Sequence, residues 1–211
     1  MENRKTYDRK KDLYSLLVLA GGKSSRMGRD KAKLLLGEKS FLECILDKAE
    51  MLGIGETYLS GHGWDGKGIR TVPDRYRERG PLGGMHACFS VMDTPYALVL
   101  PVDVPQISLS VLQILLDAHG RLLNKNRQGY VHPLLLSHGD RTEPLIGIYP
   151  TALGAKIAEL IEKESAPVFR LLDETGYDIC QVSVREWELE NINTRKDYEM
   201  LLEQRKRGIK K

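Results

Sequence analysis

Hydrophobic residues fall along this chain in short runs separated by amphipathic segments. The run Leu13–Ala20 is apolar almost throughout and stops at a glycine pair, which is typical of a strand buried on both faces. Tyr96–Pro101 has the same character and ends just before Asp103. Five further runs predict strands, and the third and fourth of these form a hairpin: Glu56–Ser60, Ile69–Val72, Tyr130–Ser137, Thr142–Tyr149 and Tyr177–Val182.

Helices are predicted between these strands. Ser40 and Glu43 have the spacing of a capping box, in which each side chain binds the backbone N–H of the other residue, so a helix should begin at Phe41. The remaining predicted helices are Met85–Met92, the segment from Ser108 to about Leu123, Thr151–Lys163, Pro167–Thr175 and a last helix opened by Thr194 and Asp197. Strands alternating with helices predict an α/β three-layer sandwich with a mostly parallel sheet and one antiparallel strand.

Composition fits one globular domain of 211 residues, with 41% hydrophobic residues and 32 Lys and Arg against 29 Asp and Glu. The net charge of +3 is located in the termini. Residues 1–11 hold five basic and two acidic side chains, and residues 203–211 hold five basic and one acidic. We therefore predict a basic N-terminal tail (1–11), a net acidic domain (12–202) and a basic C-terminal tail (203–211), and no nucleic-acid partner.

Other classes of protein are disfavoured. The apolar runs are far shorter than the roughly 18–20 residues that span a bilayer, so we expect no membrane partner. The N-terminus lacks the apolar segment of a secretory signal. The cysteines Cys44, Cys88 and Cys180 are odd in number and widely spaced, and we interpret them as buried structural thiols. These features predict a protein of the reducing cytoplasm.

Ligands of open α/β sheets bind beyond the carboxyl ends of central strands, which selects two segments. Residues 21–33 follow the first strand and contain a glycine pair, five basic residues and one acid, a composition suited to polyphosphate. Asp103 follows the second buried strand between two prolines and is a candidate Mg²⁺ ligand. Asp74 follows Val72 and would bind a base or ribose. Alternatively, residues 21–33 form an exposed basic loop without a ligand, and the two carboxylates only cap turns.

Two further glycine clusters require interpretation. Gly61–Gly68 matches G-x-G-x-x-G, but a strand rather than a helix is predicted after it, so we interpret it as a surface loop and not a dinucleotide site. Gly80–Gly84 opens the predicted Met85 helix, where backbone amides favour an anion and Gly83 permits close approach of a ligand. A tight strand-to-helix turn explains the same glycines equally well.

The run Leu19–Lys31 (LAGGKSSRMGRDK) resembles the L-A-G-G-x-S-x-R-M-G-x-D-K signature of molybdenum cofactor guanylyltransferases. Later landmarks of that family are matched in the same order by Gly80–Gly84, by the strand ending at Asp103, by Glu143–Leu145 and by Asn191–Thr194. The resemblance extends over residues 13–202. It implies a Rossmann-like nucleotidyltransferase that joins GMP from GTP to molybdenum-bearing molybdopterin and releases pyrophosphate, with Mg²⁺ as cofactor. It also implies transient contact with proteins that deliver or receive the cofactor.

The resemblance implies roles for individual residues. Backbone groups of the first motif would hold guanine, Asp103 would bind Mg²⁺ and Lys31 would lie near the α-phosphate. The implied nucleotide-binding residues are Leu19, Ala20, Gly21, Gly22, Lys23, Arg26, Lys31, Asp74, Gly83 and Asp103, of which Lys31, Arg26 and Asp103 are catalytic. The residues that would bind the second substrate are Asn191, Asn193 and Arg170. Alternatively, the asparagines only form a turn and cap the last helix, and Arg170 is a solvated helix residue.

The chain departs from the family pattern at two positions. Ser60-Gly61-His62 stands where the pattern has asparagine, which leaves a contact of His62 with nucleotide open. Glu143 replaces a histidine before Pro-Leu, and near an anionic substrate this acid should either face away or pair with Arg141. Two rival functions stay open. One is a CTP-dependent cytidylyltransferase acting on molybdopterin or a sugar-like phosphate, although Gly21-Gly22 favours the larger guanine; the other is a non-catalytic GTP-binding module.

Overall fold

The first strand lies at the centre of the protein. A computed structural model describes residues 10–20, 30–61, 63–64, 68–76, 79–126, 131–163 and 167–206. Strand β1 (Tyr14–Leu19) is buried at every position. Leu16 and Val18 pack into one hydrophobic cluster, while Leu17 and Leu19 pack into a second one on the opposite face. The apolar run is therefore buried on both faces, as its pattern predicts.

A seven-stranded sheet is built around β1. Its further strands are β4 (Thr57–Ser60), β5 (Ile69–Val72), β6 (Tyr96–Pro101), β7 (Leu134–His138), β8 (Arg141–Pro150) and β9 (Asp178–Gln181). The strand order is β5-β4-β1-β6-β8-β7-β9. Only β8 runs antiparallel to its two neighbours, and all other pairs in this sheet are parallel. A separate small hairpin consists of β2 (Leu35–Leu36) and β3 (Lys39–Ser40).

Helices cover both faces of the sheet. They are α1 (Lys10–Leu13), α2 (Phe41–Met51), α3 (Pro81–Phe89), α4 (Leu109–Lys125), α5 (Gly154–Glu162), α6 (Val168–Thr175) and α7 (Arg195–Lys206). Apolar side chains of α2, α4 and α7 pack with Leu16 and Val18, and those of α3, α5 and α6 pack with Leu17 and Leu19. This arrangement confirms the predicted three-layer sandwich with one antiparallel strand.

Local signals in the sequence identify several helix boundaries. Ser40 Oγ accepts the Glu43 backbone N–H at 3.2 Å, and the Glu43 carboxylate accepts the Ser40 N–H at 2.6 Å. The predicted capping box of α2 is thus confirmed. Ser108 caps α4 in the same sense by accepting the Val111 N–H. Helix α7 continues to Lys206, so residues 203–206, which composition assigns to the tail, are helical.

Helix α3 begins earlier than the hydrophobic pattern predicts. It starts at Pro81 and not at Met85, because proline suits a first helical position whose N–H has no acceptor. Gly83 and Gly84 therefore lie inside its first turn. Glycine lowers helix propensity, so the sequence pattern alone places these residues before the helix. Close packing against neighbouring strands accounts for them instead, as the site geometry below shows.

Three further features bear on the sequence analysis. The glycine-rich segment that ends at Gly68 leads directly into β5, so a strand follows it as predicted. Cys88 and Cys180 are buried free thiols, whereas Cys44 is only half-buried, and burial raises the pKa of Cys88 to about 12. None of the helices in the described ranges is long and apolar enough to cross a membrane.

A buried histidine is packed between aromatic rings near the start of β1. His119 of α4 has no exposed surface, and its Nδ1 lies 2.9 Å from the Tyr14 hydroxyl. The ring centroids of Tyr14 and Tyr96 are 5.6 and 4.5 Å away. Burial lowers the pKa of His119 from 6.5 to about 4, so the imidazole is neutral at pH 7.

This histidine should make stability depend on pH. Its pKa is lower in the folded state, so the unfolded chain takes up the proton first as the pH falls below 6.5, and stability is lost until the pH reaches about 4. Between pH 7 and pH 5 the free energy of unfolding should fall by about 2 kcal/mol more than in His119→Gln, which keeps an acceptor for Tyr14 but does not titrate. Urea unfolding at both pH values measures this difference. An equal fall in the free energy of unfolding for the wild-type protein and His119→Gln would contradict the prediction.

Candidate active site

A cleft of about 400 Å³ opens at the carboxyl ends of β1 and β6. Its walls come from strand ends, from the start of α3, from β8 and from the segment before α7. The described residues that line it are Leu19, Ala20, Lys31, Pro81, Pro101, Val102, Asp103, Glu143, Pro144, Leu145, Ile146, Asn191 and Asn193. This is the position at which α/β sheets bind their ligands.

The pairing of β1 with β6 sets the position of Asp103. Leu19 and Pro101 are partners at the end of the parallel ladder, and the Val102 N–H donates to the Leu19 carbonyl at 3.0 Å one residue beyond it. The Asp103 carbonyl then accepts the N–H of Ile192 at 2.9 Å. This bond ties the strand end to the segment that carries Asn191 and Asn193.

Three of the predicted site residues meet in the cleft. The Lys31 ammonium donates to Asp103 Oδ2 at 2.9 Å and to Asn193 Oδ1 at 2.7 Å. The side chains of Lys31 and Asp103 are only 16% and 19% exposed. Lys31 begins a 3₁₀ turn (Lys31–Lys33) whose N-cap, Asp30, accepts the Ala32 N–H at 3.0 Å. A cation is therefore held at the strand end by an acid and an amide that lie 72 and 162 residues away in sequence.

The cap of α7 orients Asn193. Asp197 Oδ2 accepts the backbone N–H groups of Asn193 and Thr194 at 3.0 and 2.7 Å, while Thr194 Oγ1 accepts the Asp197 N–H at 3.1 Å. Burial raises the pKa of Asp197, but these hydrogen bonds and the charge of Lys31 outweigh burial and leave the pKa below its ordinary value. Thr194 and Asp197 thus carry the capping duty, and the Asn193 side chain is free to bind Lys31.

Asp74 and Gly83 lie together beside this cleft and do not line it. Asp74 Oδ1 accepts the Tyr76 N–H at 2.9 Å. A Cβ added at Gly83 would lie 2.7 Å from both carboxylate oxygens of Asp74, and one at Gly84 would lie 2.8 Å from the Cβ of Ser60. The glycines therefore let α3 approach the ends of β4 and β5, which supports the interpretation of Gly80–Gly84 as a close-packed turn. A contact of Asp74 or Gly83 with nucleotide stays a prediction.

The remaining predicted site residues are not part of this constellation. Gly21, Gly22, Lys23 and Arg26 lie outside the described residues, as does His62. Arg170 lies on α6, where its Nε is 3.3 Å from Glu174 Oε1, and it does not line this cleft. The structure gives Arg170 the position of a half-exposed helix residue.

A second cleft, of about 850 Å³, adjoins the first and was not predicted. The two clefts share Asn191 and Asn193. The other described residues of the second cleft are His138, Arg141, Glu186, Trp187, Leu189, Glu190 and Gln204. Of these, only Arg141 had a signal in the sequence, as the expected partner of Glu143. That pairing is present, because Arg141 Nε lies 2.6 Å from Glu143 Oε1.

The chemistry of the first cleft suits a phosphorylated ligand. Lys31 supplies a preorganised positive charge, and Leu19 and Ala20 line the cleft at the end of β1. Asp103 can hold a hard divalent cation, which prefers one or two carboxylates together with phosphate oxygens and water. Among the described residues no group of three or more His, Cys, Asp or Glu side chains has metal-binding geometry. Asp103 would accordingly share a metal with the ligand's phosphates.

A mostly parallel sheet with a lysine and a carboxylate beyond two adjoining strands is an arrangement that a nucleotidyltransferase can use, and comparison with known proteins identifies that class. A sequence model of the MobA-like NTP transferase domain matches residues 16–177, and this chain belongs to that family. A probable molybdenum cofactor guanylyltransferase of Flavobacterium johnsoniae is 31% identical over 84% of this chain and 90% of its own length. The molybdenum cofactor guanylyltransferase of Pseudomonas aeruginosa is 30% identical over 85% and 90%, respectively.

Solved structures show the same fold. Molybdopterin-guanine dinucleotide biosynthesis protein A from Archaeoglobus fulgidus superimposes with a TM-score of 0.72 and 19% identity, covering 92% of this chain and 99% of that one. The family match and the relatives at 30–31% identity identify this protein as an enzyme of the nucleotidyltransferase class.

Gly83 and Gly120 provide a matched test of the close packing at α3. Gly83→Ala should destabilise the protein by about 1–3 kcal/mol, because the added methyl group collides with Asp74 and the Tyr76 carbonyl. Gly120→Ala in α4 meets no atom within 4 Å and should stabilise by about 0.5–1 kcal/mol through helix propensity. Urea denaturation of both variants measures the two shifts; equal shifts would show that no collision occurs at Gly83.

Proposed function

We propose that this enzyme transfers GMP from GTP to molybdenum-bearing molybdopterin, releases pyrophosphate and forms the guanine dinucleotide form of the cofactor. The observation that carries this proposal is the contact of Lys31 with both Asp103 and Asn193 in a member of the MobA-like family. These residues join the nucleotide side of the cleft, at β1 and β6, to the second cleft behind Asn193.

GTP would occupy the first cleft. Backbone groups of Leu19, Ala20, Gly21 and Gly22 would recognise guanine, since the glycines leave room for a purine against the strand end. Lys31 would bind the α-phosphate in exchange for one of its present partners. Lys23 and Arg26 precede Lys31 in the sequence and would neutralise the β- and γ-phosphates. Asp74 and Gly83, beside the cleft, would complete the nucleoside side of the site.

Asp103 would hold Mg²⁺ together with the phosphates of GTP. When bound, the metal would withdraw charge from the phosphates and make pyrophosphate a better leaving group. The fit rests on a partly exposed carboxylate at a strand end, whose Oδ2 is held by Lys31. The protein itself would position the two reactants and neutralise charge that develops in the transition state.

The acceptor would be the phosphate of molybdopterin. A phosphate monoester is already a nucleophile at neutral pH, so the reaction requires no general base. Asn191 and Asn193 would contact the pterin from the wall that the two clefts share, because their amides offer both donors and acceptors to a heterocycle. We include transient contact with proteins that deliver or receive the cofactor as part of the proposal.

Nucleotide preference tests the choice between guanylyl and cytidylyl transfer. With Mg²⁺ present, GTP at 100 times its dissociation constant should stabilise the folded enzyme by about 2.7 kcal/mol, and CTP or ATP at the same concentration should do so less. Thermal unfolding of the full chain with each nucleotide measures the shifts. A larger shift with CTP would favour the cytidylyltransferase, whereas GTP binding without pyrophosphate release on addition of molybdopterin would favour the non-catalytic binding module.

Asp103→Asn should separate folding from catalysis. The amide keeps an oxygen for Lys31 but loses the charge that the metal requires, so turnover should fall on the order of 100-fold or more while the protein still folds, at a stability lowered by the loss of the counter-charge of Lys31. Pyrophosphate release measured over a range of Mg²⁺ concentrations follows the loss. Asp140→Asn, in the exposed turn between β7 and β8, is the matched control and should keep full activity. Undiminished turnover in Asp103→Asn would remove this carboxylate from the mechanism.

A further inference from the structure

Arg141 and Glu143 form an ion pair that spans the boundary between the two clefts. Glu143 is 8% exposed and lines the first cleft, while Arg141 is 63% exposed at its side chain and lines the second. They lie two residues apart on β8 and therefore project from the same face of the strand. The pair is thus fixed to the rigid sheet and not to a loop.

The negative charge of Glu143, which lines the cleft proposed to receive anions, is balanced by neighbouring side chains. Its Oε1 lies 2.6 Å from Arg141 Nε and 3.4 Å from His138 Nε2. A nearly buried carboxylate without such partners would repel phosphates and would be costly to desolvate. Glu143 approaches the guanidinium at Nε, and the described residues form no other ion pair or hydrogen bond with the Arg141 side chain, so its terminal amino groups can bind a ligand.

Arg141 is the residue that would bind an anion in the second cleft. Among the described residues that line the second cleft, it is the only lysine or arginine, and Glu186 and Glu190 contribute negative charge there. Asn191 and Asn193 lie on the same wall and reach the first cleft, where Lys31 binds Asn193. An anionic group held by Arg141 would therefore sit on the acceptor's side of the reacting centre.

We propose that Arg141 binds the phosphomonoester of the acceptor substrate and that Glu143 is the positioning residue that aims its guanidinium. This inference rests on the proposed function for the identity of the acceptor, a pterin with a phosphorylated side chain. Arg141 would offer its terminal N–H groups to the phosphate oxygens, as arginine does in forked contacts. Glu143 would keep its ion pair with Arg141 throughout, so that the acid and the anion never face each other unpaired.

Titration calorimetry with two probes tests the role of Arg141. The probes are a phosphomonoester pterin and the same pterin after removal of its phosphate, each added to the full chain saturated with GTP and lacking an added divalent metal. The wild-type protein should bind the phosphorylated probe at least about tenfold more tightly, and Arg141→Gln should lose this preference while binding GTP normally. Arg195→Gln removes an exposed arginine that also pairs with a glutamate, at 2.8 Å, and should keep the preference.

Each result decides the proposal. A preference for the phosphorylated probe that persists in Arg141→Gln, or that is absent from the wild-type protein, overturns it. If the wild-type protein shows the preference and loses it with Arg141 but releases no pyrophosphate from GTP and molybdopterin in the presence of Mg²⁺, the inference holds and the proposed guanylyl transfer fails.

Glu143→Gln distinguishes positioning of Arg141 from simple repulsion of the phosphate, because the two roles predict opposite changes in affinity for the phosphorylated pterin. If Glu143 aims Arg141, Glu143→Gln should weaken binding of the phosphorylated pterin about three- to tenfold, although it removes a negative charge. In the Arg141→Gln background, where the carboxylate can only repel, the same substitution should tighten binding. Tightening in both backgrounds would show that Glu143 does not position Arg141. GTP affinity, measured in all four proteins, controls for loss of folding.

Discussion

The parallel pairing of β1 with β6 is the interaction on which the cleft depends. Since β1 is buried on both faces, a slip of one residue would move its apolar side chains into the opposite helical layers and disrupt the packing of both clusters. That register places Leu19 beside Pro101 and carries the chain one hydrogen bond further to Asp103. The Asp103 carbonyl in turn holds Ile192, so the far C-terminal segment is positioned by the same two strands.

Close approach of α3 is the second constraint on the site. Gly83 and Gly84 leave no space for a side chain between the helix and the groups that follow β4 and β5, Ser60 and Asp74 among them. The loss of helix propensity at two consecutive glycines, roughly 1 kcal/mol each, is offset by packing that any larger residue would prevent. The same geometry explains why Pro81 reaches the cleft although most of α3 is buried against the sheet.

Sequence reasoning succeeded where a local pattern determines position. The apolar runs predict the central strands, and the strand-end rule then identifies Asp103 and the loop that ends in Lys31 as neighbours. Other contacts between distant segments could not be predicted from the sequence. The hydrogen bond from Lys31 to Asn193, for example, joins residues 162 positions apart and depends on the packing of α7. Arg170 illustrates the limit: its charge suggested an anion site, but its helix packs on the face opposite α7. The second cleft has no sequence pattern, since its residues come from a hairpin, a 3₁₀ turn and a helix.

Among the described residues that line the clefts, the one lysine and the one arginine are each paired with a carboxylate. Lys31 is paired with Asp103 and Arg141 with Glu143, so neither positive charge stands alone before a ligand binds. An unpaired lysine that is only 16% exposed would bear a large desolvation cost, and so would the acid beside it. Pairing reduces that cost and also orients the side chains, so a polyanion would meet cations that are already positioned and would not have to order a mobile chain. The two described cations would therefore serve the anionic substrates as oriented donors, while the basic residues of segment 21–33 would supply the further positive charge that a polyphosphate needs.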